Sequence, residues 1–227
     1  MLRKAKQTDL PQILAMWRES FGDTDSGICS FFSAFPGCRS YVAELDGKAV
    51  SMVHALPQTL RLEQDCSAAY LYAVATAAPY RGRGLCRRLM AYAEAELRHG
   101  GFDCCVLTPG EPSLFRFYED LGYKTAFTRK RTPWHGEGEP VSAAEYSVLR
   151  SQLLPPGHMA YDTATLEYAE RVYGLRFYRT ANGCAAAGEY YTAEVLPDDC
   201  EGMPFAMIKW LREPAPEFSG FLGCALE

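Results

Sequence analysis

The stretch from Tyr70 to Leu89 constrains the fold of this chain more than any other. It begins with an apolar and aromatic run to Val74, continues through a turn that contains Gly82 and Gly84, and ends in residues with helical spacing. A helix that begins at such a turn directs its first unpaired N–H groups, and the positive end of its dipole, toward the turn. The stretch therefore predicts a buried strand, a turn and a helix that together bind an anion.

Patterns on both sides of this stretch predict an α/β fold with a mixed, mostly antiparallel sheet flanked by helices. Asp46-Gly47 separates two β-patterned runs, as in a tight hairpin. A helix after the central strand would carry the chain back to a parallel neighbour, a right-handed βαβ unit. The predicted strands are 2–6, 39–45, 48–55, 56–63, 68–76, 102–108 and 123–128, and the predicted helices are 8–21, 23–35, 85–99 and 112–121.

Charge and cysteine content narrow the class of protein. The 227 residues carry a formal net charge of -5, which argues against a nucleic-acid partner. No apolar run approaches the roughly 20 residues of a spanning helix and the N-terminus lacks an apolar signal core, so we expect a cytoplasmic protein without a membrane partner. The nine cysteines are an odd number without metal-site spacing, which favours reduced thiols and no bound metal.

The turn carries the signature of a known family. Arg81-Gly82-Arg83-Gly84-Leu85-Cys86 resembles the Arg/Gln-x-x-Gly-x-Gly/Ala motif of the GNAT superfamily of acyl-CoA-dependent N-acyltransferases, with Cys86 in place of the last Gly or Ala. The resemblance extends over roughly residues 2–132. It implies a twisted sheet whose central parallel pair is splayed, with acetyl-CoA or another acyl-CoA as co-substrate and no metal.

The resemblance also implies where the acyl-CoA binds. The backbone amides of the motif would hold the CoA pyrophosphate, and backbone groups at the end of the central strand would pair with the pantetheine arm as an added strand does. The thioester would then lie beside that strand end. The implied binding residues are Val74, Ala75, Thr76, Arg81, Gly82, Arg83, Gly84, Leu85, Cys86 and Arg87.

A second motif lies downstream. The run from Leu114 to Tyr123 resembles the family's Phe-Tyr-x-x-x-Gly-Phe/Tyr helix, which implies that Tyr118 is the general acid that protonates the departing thiolate. Taken alone, Tyr118 would be interpreted as a core aromatic residue.

The sequence does not identify one catalytic base, because the central strand has no carboxylate side chain. His54 is the first candidate, since a histidine is readily poised near neutral pH. The same residue also fits a buried strand histidine with a satisfied hydrogen bond. Glu44, Asp23, Asp25 and a chain of waters remain alternatives.

The last third of the chain predicts a smaller α+β lobe. We expect a catalytic domain at 1–132, a linker and helix at 133–158, and a lobe at 159–227 that is either separate in fold or a partial, non-catalytic second copy. Similar lobes occur in bacterial acetyltransferases that this chain resembles. Four aromatic residues of this part either line the acceptor pocket or pack in the core: Phe205, Trp210, Phe218 and Phe221.

Two functions follow from these patterns. The first is an N-acyltransferase that moves acetyl to a primary amine of a small molecule or peptide in a ternary complex, as a monomer or homodimer. The second is a non-catalytic sensor that binds CoA or acyl-CoA. A P-loop nucleotide site is disfavoured, because the turn lacks Gly-Lys-Ser/Thr.

Overall fold

A computed structural model describes residues 1–129, 134–189, 192–197, 203–213, 215–216 and 219–223. The chain forms two compact units. One contains Met1–Pro57, Ser67–Leu107 and Trp210–Ala215, and the other contains Gln58–Cys66, Thr108–Lys209 and Pro216–Glu227. The division predicted between residues 132 and 133 lies outside the described residues, as do Cys200, Phe218 and Cys224, and the predicted domain boundaries stay a prediction.

The first unit is built on five strands in the order β1-β2-β3-β4-β5. The first three pair antiparallel, whereas β4 and β5 pair in parallel, as the predicted βαβ unit requires. Its elements in chain order are β1 (Leu2–Lys4), α1 (Leu10–Phe21), α2 (Asp25–Ala34), β2 (Arg39–Leu45), β3 (Lys48–Arg61, of which residues 48–57 belong to this unit), β4 (Cys66–Thr76), α3 (Leu85–His99) and β5 (Cys104–Leu107).

Local sequence explains these elements. Asp46 and Gly47, with φ of 50° and 75°, both adopt the left-handed conformation that a two-residue hairpin turn demands. The predicted apolar face of α3 is buried, with Leu89 and Ala93 almost fully covered. Near the N-terminus, Trp17 of α1 and Phe31 of α2 are 2% and 0% exposed, and their rings pack edge to face. Each such buried side chain stabilises the fold by about 1.5–3 kcal/mol.

The second unit contains the remaining helices and strands. β12, β6, β13 and β8 neighbour one another in that order, β8 also pairs with residues 59–61 of β3, and a separate sheet has the order β11-β10-β9-β7. Its elements are α4 (Ser113–Glu119), β6 (Lys124–Arg129), β7 (Glu139–Val141), α5 (Ala143–Leu153), β8 (His158–Ala160), α6 (Thr163–Tyr173), β9 (Arg176–Arg179), β10 (Cys184–Ala187), β11 (Thr192–Leu196), β12 (Met203–Trp210) and β13 (Gly220–Phe221).

Caps and turns in this unit follow the sequence closely. Ser142 caps α5 in a reciprocal capping box with Glu145. Asp162 caps α6 by accepting the hydrogen bond from the Thr165 amide at 2.8 Å. β9 and β10 pair antiparallel on either side of Asn182-Gly183. No helix among the described residues is long and apolar enough to cross a bilayer.

A buried ion pair and its hydrogen bonds join four segments of the second unit. Arg150 of α5 and Glu194 of β11 are each 1% exposed, and Arg150 Nε donates to Glu194 Oε1 at 2.7 Å. The other guanidinium nitrogens donate to the carbonyls of Met159 and Leu222 at 2.6 and 3.0 Å, and the Tyr146 hydroxyl donates to Glu194. Since the guanidinium satisfies two backbone carbonyls as well as the carboxylate, the pair is compatible with burial.

Candidate functional site

The pairing of the central strand β4 with its parallel neighbour β5 covers only part of the length of β4. Registered pairs between β4 and β5 run from Ala68 with Cys104 to Tyr70 with Val106, while β4 continues to Thr76. Within the continuation, Ala73 has a φ of 49°, which is uncommon for a residue other than glycine and departs from extended strand conformation. β5 ends at Leu107, one residue after its last registered pair, so the six residues of β4 from Leu71 to Thr76 extend past that pair.

The turn after β4 has the conformation that its glycines allow. Gly82 and Gly84 have φ of 73° and 68°, and a Cβ added to either would meet no atom within 4 Å. Gly84 is the N-cap of α3, whose first intrahelical bond runs from the Arg88 amide to the Gly84 carbonyl. The amides of Leu85 to Arg87 precede that bond, so they are the donors that a helix start offers to an anion.

Arginine side chains fasten this turn to the end of β4. Arg81 Nε donates to the Thr76 carbonyl at 2.8 Å, and the Arg81 guanidinium lies 3.7 Å from the Glu19 carboxylate. Arg83 donates to the Pro79 carbonyl at 3.0 Å. Both side chains are exposed, so they brace the turn and leave positive charge at its surface.

Two residues that the sequence did not single out also hold the site. Ser51 of β3 is fully buried, donates to the Ala75 carbonyl at 2.9 Å and lies 2.8 Å from the Thr76 hydroxyl. Glu19, at the end of α1, accepts from the Ala78 amide at 3.3 Å. A polar residue at an otherwise apolar position of a central strand is a signal for Ser51, whereas Glu19 has no comparable signal.

Cys86 stands at the start of α3, where a helix dipole would favour a thiolate. Burial outweighs this effect and raises the pKa of the Cys86 thiol to about 11, against the opposing charge of Arg87. Cys86 is therefore a protonated, partly buried thiol at neutral pH.

His54 lies on β3 inside an aromatic cluster. It is 0% exposed, its Nδ1 is 2.8 Å from the Ser40 hydroxyl, and its ring centre lies 5.0 Å from that of Trp17 and 5.3 Å from that of Phe32. Burial lowers the pKa of His54 to about 3. His54 is thus neutral and enclosed, an environment that favours the interpretation as a buried strand histidine. Its role as the base stays a prediction.

The carboxylates considered as bases are each engaged by a donor. Glu44 accepts from Arg3 Nε at 2.6 Å, and Asp23 accepts from the Trp17 indole N–H at 2.7 Å. Asp25 forms an ion pair with Arg18. Among the residues that the structure describes, no group of three or more histidine, cysteine, aspartate or glutamate side chains is arranged to hold a metal ion.

Tyr118 belongs to the second unit and is 6% exposed near the end of α4. Its ring contacts Phe117 and Tyr123 edge to face, at 5.2 and 5.9 Å between centres. The Tyr118 carbonyl accepts hydrogen bonds from the amides of Leu121 and Tyr123 at 2.9 and 3.0 Å. The backbone and ring of Tyr118 are therefore held by the turn that follows α4.

Comparisons with known proteins agree with this architecture. A sequence model described as the acetyltransferase (GNAT) domain matches residues 1–126. No curated protein matches the chain. The residues matched by the GNAT model include both the central strand β4 and α4, the helix that carries Tyr118.

Solved structures share the fold at low sequence identity. A GCN5-related N-acetyltransferase from Kribbella flavida matches with a TM-score of 0.66 and 16% identity, over 93% of this chain and 72% of its own. The corresponding protein from Anabaena variabilis ATCC 29413 gives 0.66 and 16%, over 93% and 73%. A conserved protein of unknown function from Enterococcus faecalis V583 gives 0.64 and 20% over 82% of this chain. This chain spans only 54% of that last protein. These similarities confirm the predicted fold class.

Proposed function

The chain belongs to the GNAT acetyltransferase family, and from that premise we propose that it transfers an acyl group from acyl-CoA to a primary amine. Acetyl-CoA is the donor that we expect, and the acceptor is an amine of a small molecule or peptide. The observation that carries the proposal is the continuous arrangement of the β4 edge beyond Tyr70, the open turn at Gly82 and Gly84, and the start of α3.

We assign the donor to this arrangement in three parts. The amides from Gly82 to Arg87 bind the pyrophosphate, because the left-handed glycines leave open space where a Cβ would otherwise project. The Arg81 amide donates to the Ala78 carbonyl at 3.2 Å, so Arg81 contributes its side-chain charge instead. The pantetheine arm pairs with the backbone of Val74 and Thr76 as an added strand. The thioester then lies beside Val74, Ala75 and Thr76.

The chemistry is a direct transfer in a ternary complex. The amine nitrogen attacks the acyl carbonyl, the C–N bond forms, and the C–S bond breaks as the CoA thiolate leaves. Tyr118 donates its phenolic proton to that sulfur, a contribution of about 10²- to 10⁴-fold for acid–base catalysis in general. We infer that the proton of the attacking amine passes to water, because the side chains considered as bases are buried or already paired. His54 as base is the alternative.

The proposal is tested by release of CoA thiol from acetyl-CoA in the presence of a broad panel of amines, peptides and aminoglycosides. Tyr118→Phe should lower kcat and leave the Kd for CoA nearly unchanged. Tyr41→Phe is the matched control, because it removes a buried phenolic hydroxyl of β2, a residue outside those that hold Tyr118, and should leave kcat as it is. Unchanged kcat in Tyr118→Phe would remove Tyr118 from the acid role. Tight binding of acetyl-CoA without turnover on any acceptor would favour the sensor instead.

A further inference from the structure

Lys209 contacts the turn that follows the Tyr118 helix. It is the penultimate residue of β12, and the antiparallel register of Ile208 with Lys124 brings it level with the start of β6. Its Nζ donates to the Leu121 carbonyl at 2.8 Å and lies 5.6 Å from the centre of the Tyr123 ring. The ammonium thus binds the turn at a carbonyl and at an aromatic face, a combination that a single long cationic side chain can make.

The turn that Lys209 binds is the same turn that holds Tyr118. Leu121 and Tyr123 both donate their amides to the Tyr118 carbonyl, at 2.9 and 3.0 Å. The Tyr123 ring also meets the Tyr118 ring edge to face. Both residues that Lys209 contacts therefore contact Tyr118 directly: Leu121 through its amide, and Tyr123 through its amide and its ring.

The turn depends on a special backbone conformation. Gly122 has a φ of 89°, and a Cβ added there would lie 3.5 Å from Lys209 Cε. α4 has only seven residues, so its own hydrogen bonds contribute little to the orientation of Tyr118. The Leu121 carbonyl lies just beyond the C-cap of α4, so the ammonium places its charge near the negative end of the helix dipole.

We propose that Lys209 is a positioning residue for the general acid Tyr118, which it orients by binding the Leu121 carbonyl and the Tyr123 ring. The inference rests on the proposed role of Tyr118. By this proposal, the end of β12 contributes to the chemical step, although it lies 91 positions after Tyr118 in the chain. Lys209 does not touch the reacting atoms in this proposal.

A double-mutant cycle separates positioning from general stability. Lys209→Met keeps the apolar stem and removes the donor, and it should lower kcat about tenfold, which corresponds to about 1.4 kcal/mol, while the KM for acetyl-CoA stays within about twofold. Lys209→Arg should restore most of kcat, because a guanidinium can reach the same carbonyl. In the Tyr118→Phe background, Lys209→Met should cause no further loss of kcat.

The outcomes of this cycle are distinct. An equal loss from Lys209→Met in both backgrounds, or unchanged kcat in Lys209→Met beside a lowered kcat in Tyr118→Phe, would overturn the positioning role and leave the acid role intact. Unchanged kcat in Tyr118→Phe would instead overturn the acid role, and the inference with it. If Lys209→Met does not fold, Lys209→Leu, which also lacks the donor, takes its place in the same cycle, and thermal unfolding confirms that each variant is folded.

Discussion

Replacing Gly84 with alanine tests whether the turn before α3 binds the pyrophosphate. Gly84 has a φ of 68°, and a Cβ placed there meets no atom within 4 Å. The change therefore costs the protein only backbone strain, about 1–2 kcal/mol for an L-residue in the left-handed region. For a chain of this length we expect the Tm to fall by about 2–8 °C.

The effect on ligand binding should be larger than the strain alone. If the pyrophosphate occupies the open space at the turn, the new methyl group displaces it and removes one hydrogen bond from a backbone amide to a charged oxygen. Such a bond contributes about 1.5–3 kcal/mol. The Kd for CoA should therefore rise by about 10- to 150-fold.

Gly47→Ala is the matched control for this prediction. Gly47 has a φ of 75° and equally open surroundings, but it lies in the hairpin between β2 and β3. We expect a similar fall in Tm without a change in the Kd for CoA. Calorimetric titration with CoA and thermal unfolding of both variants supply the two measurements. Equal Kd values for the two variants would refute the assignment of the pyrophosphate to this turn.

Three further variants test the environment of single residues. The folded pKa of His54, about 3, lies below its unfolded value of 6.5, so its contribution to stability is present above pH 6.5 and falls as the pH decreases, by about 2 kcal/mol at pH 5. His54→Asn should remove this part of the pH dependence in urea unfolding, and an unchanged pH profile of stability would contradict the buried, neutral histidine. A lower kcat in fully folded His54→Asn would support the base role. Arg150→Met leaves Glu194 buried without its cation and should destabilise the protein by about 3–5 kcal/mol, whereas a loss below about 1 kcal/mol would show that the pair is solvated. Ser51→Ala removes the donor to the Ala75 carbonyl, so we expect a loss of about 1–3 kcal/mol together with weaker CoA binding; unchanged CoA affinity would show that Ser51 does not shape the end of β4.

Much of the fold follows from patterns that extend over a few residues. α3 spans the predicted range 85–99, because a helix with a regular apolar face is bounded by Gly84 and Gly100. The hairpin at Asp46-Gly47 likewise needs only its two turn residues. Helix ends are less well predicted: the predicted helix 23–35 begins at Asp25, because Thr24 accepts the capping bond from the Gly27 amide.

Some features of the candidate site can be predicted from residue type, and others depend on the surroundings of the residue in the fold. The glycines of the turn are recognisable because positive φ favours glycine, but Ala73 adopts a positive φ without any such signal in its residue type. His54 looked suitable as a base because its ordinary pKa is near neutral. Its actual pKa depends on Trp17 and Phe32, which come from two separate helices.

The sequence by itself determined the strand, turn and helix from Tyr70 to Leu89, because glycine conformation, apolar spacing and the exposed amides of a helix start are properties of neighbouring residues. Only the tertiary structure decided where β4 leaves β5, and which side chains brace the site. Ser51 reaches Ala75, and Lys209 reaches Leu121, across 24 and 88 positions of the chain. Contacts between such distant positions depend on sheet register and packing, which no local pattern specifies.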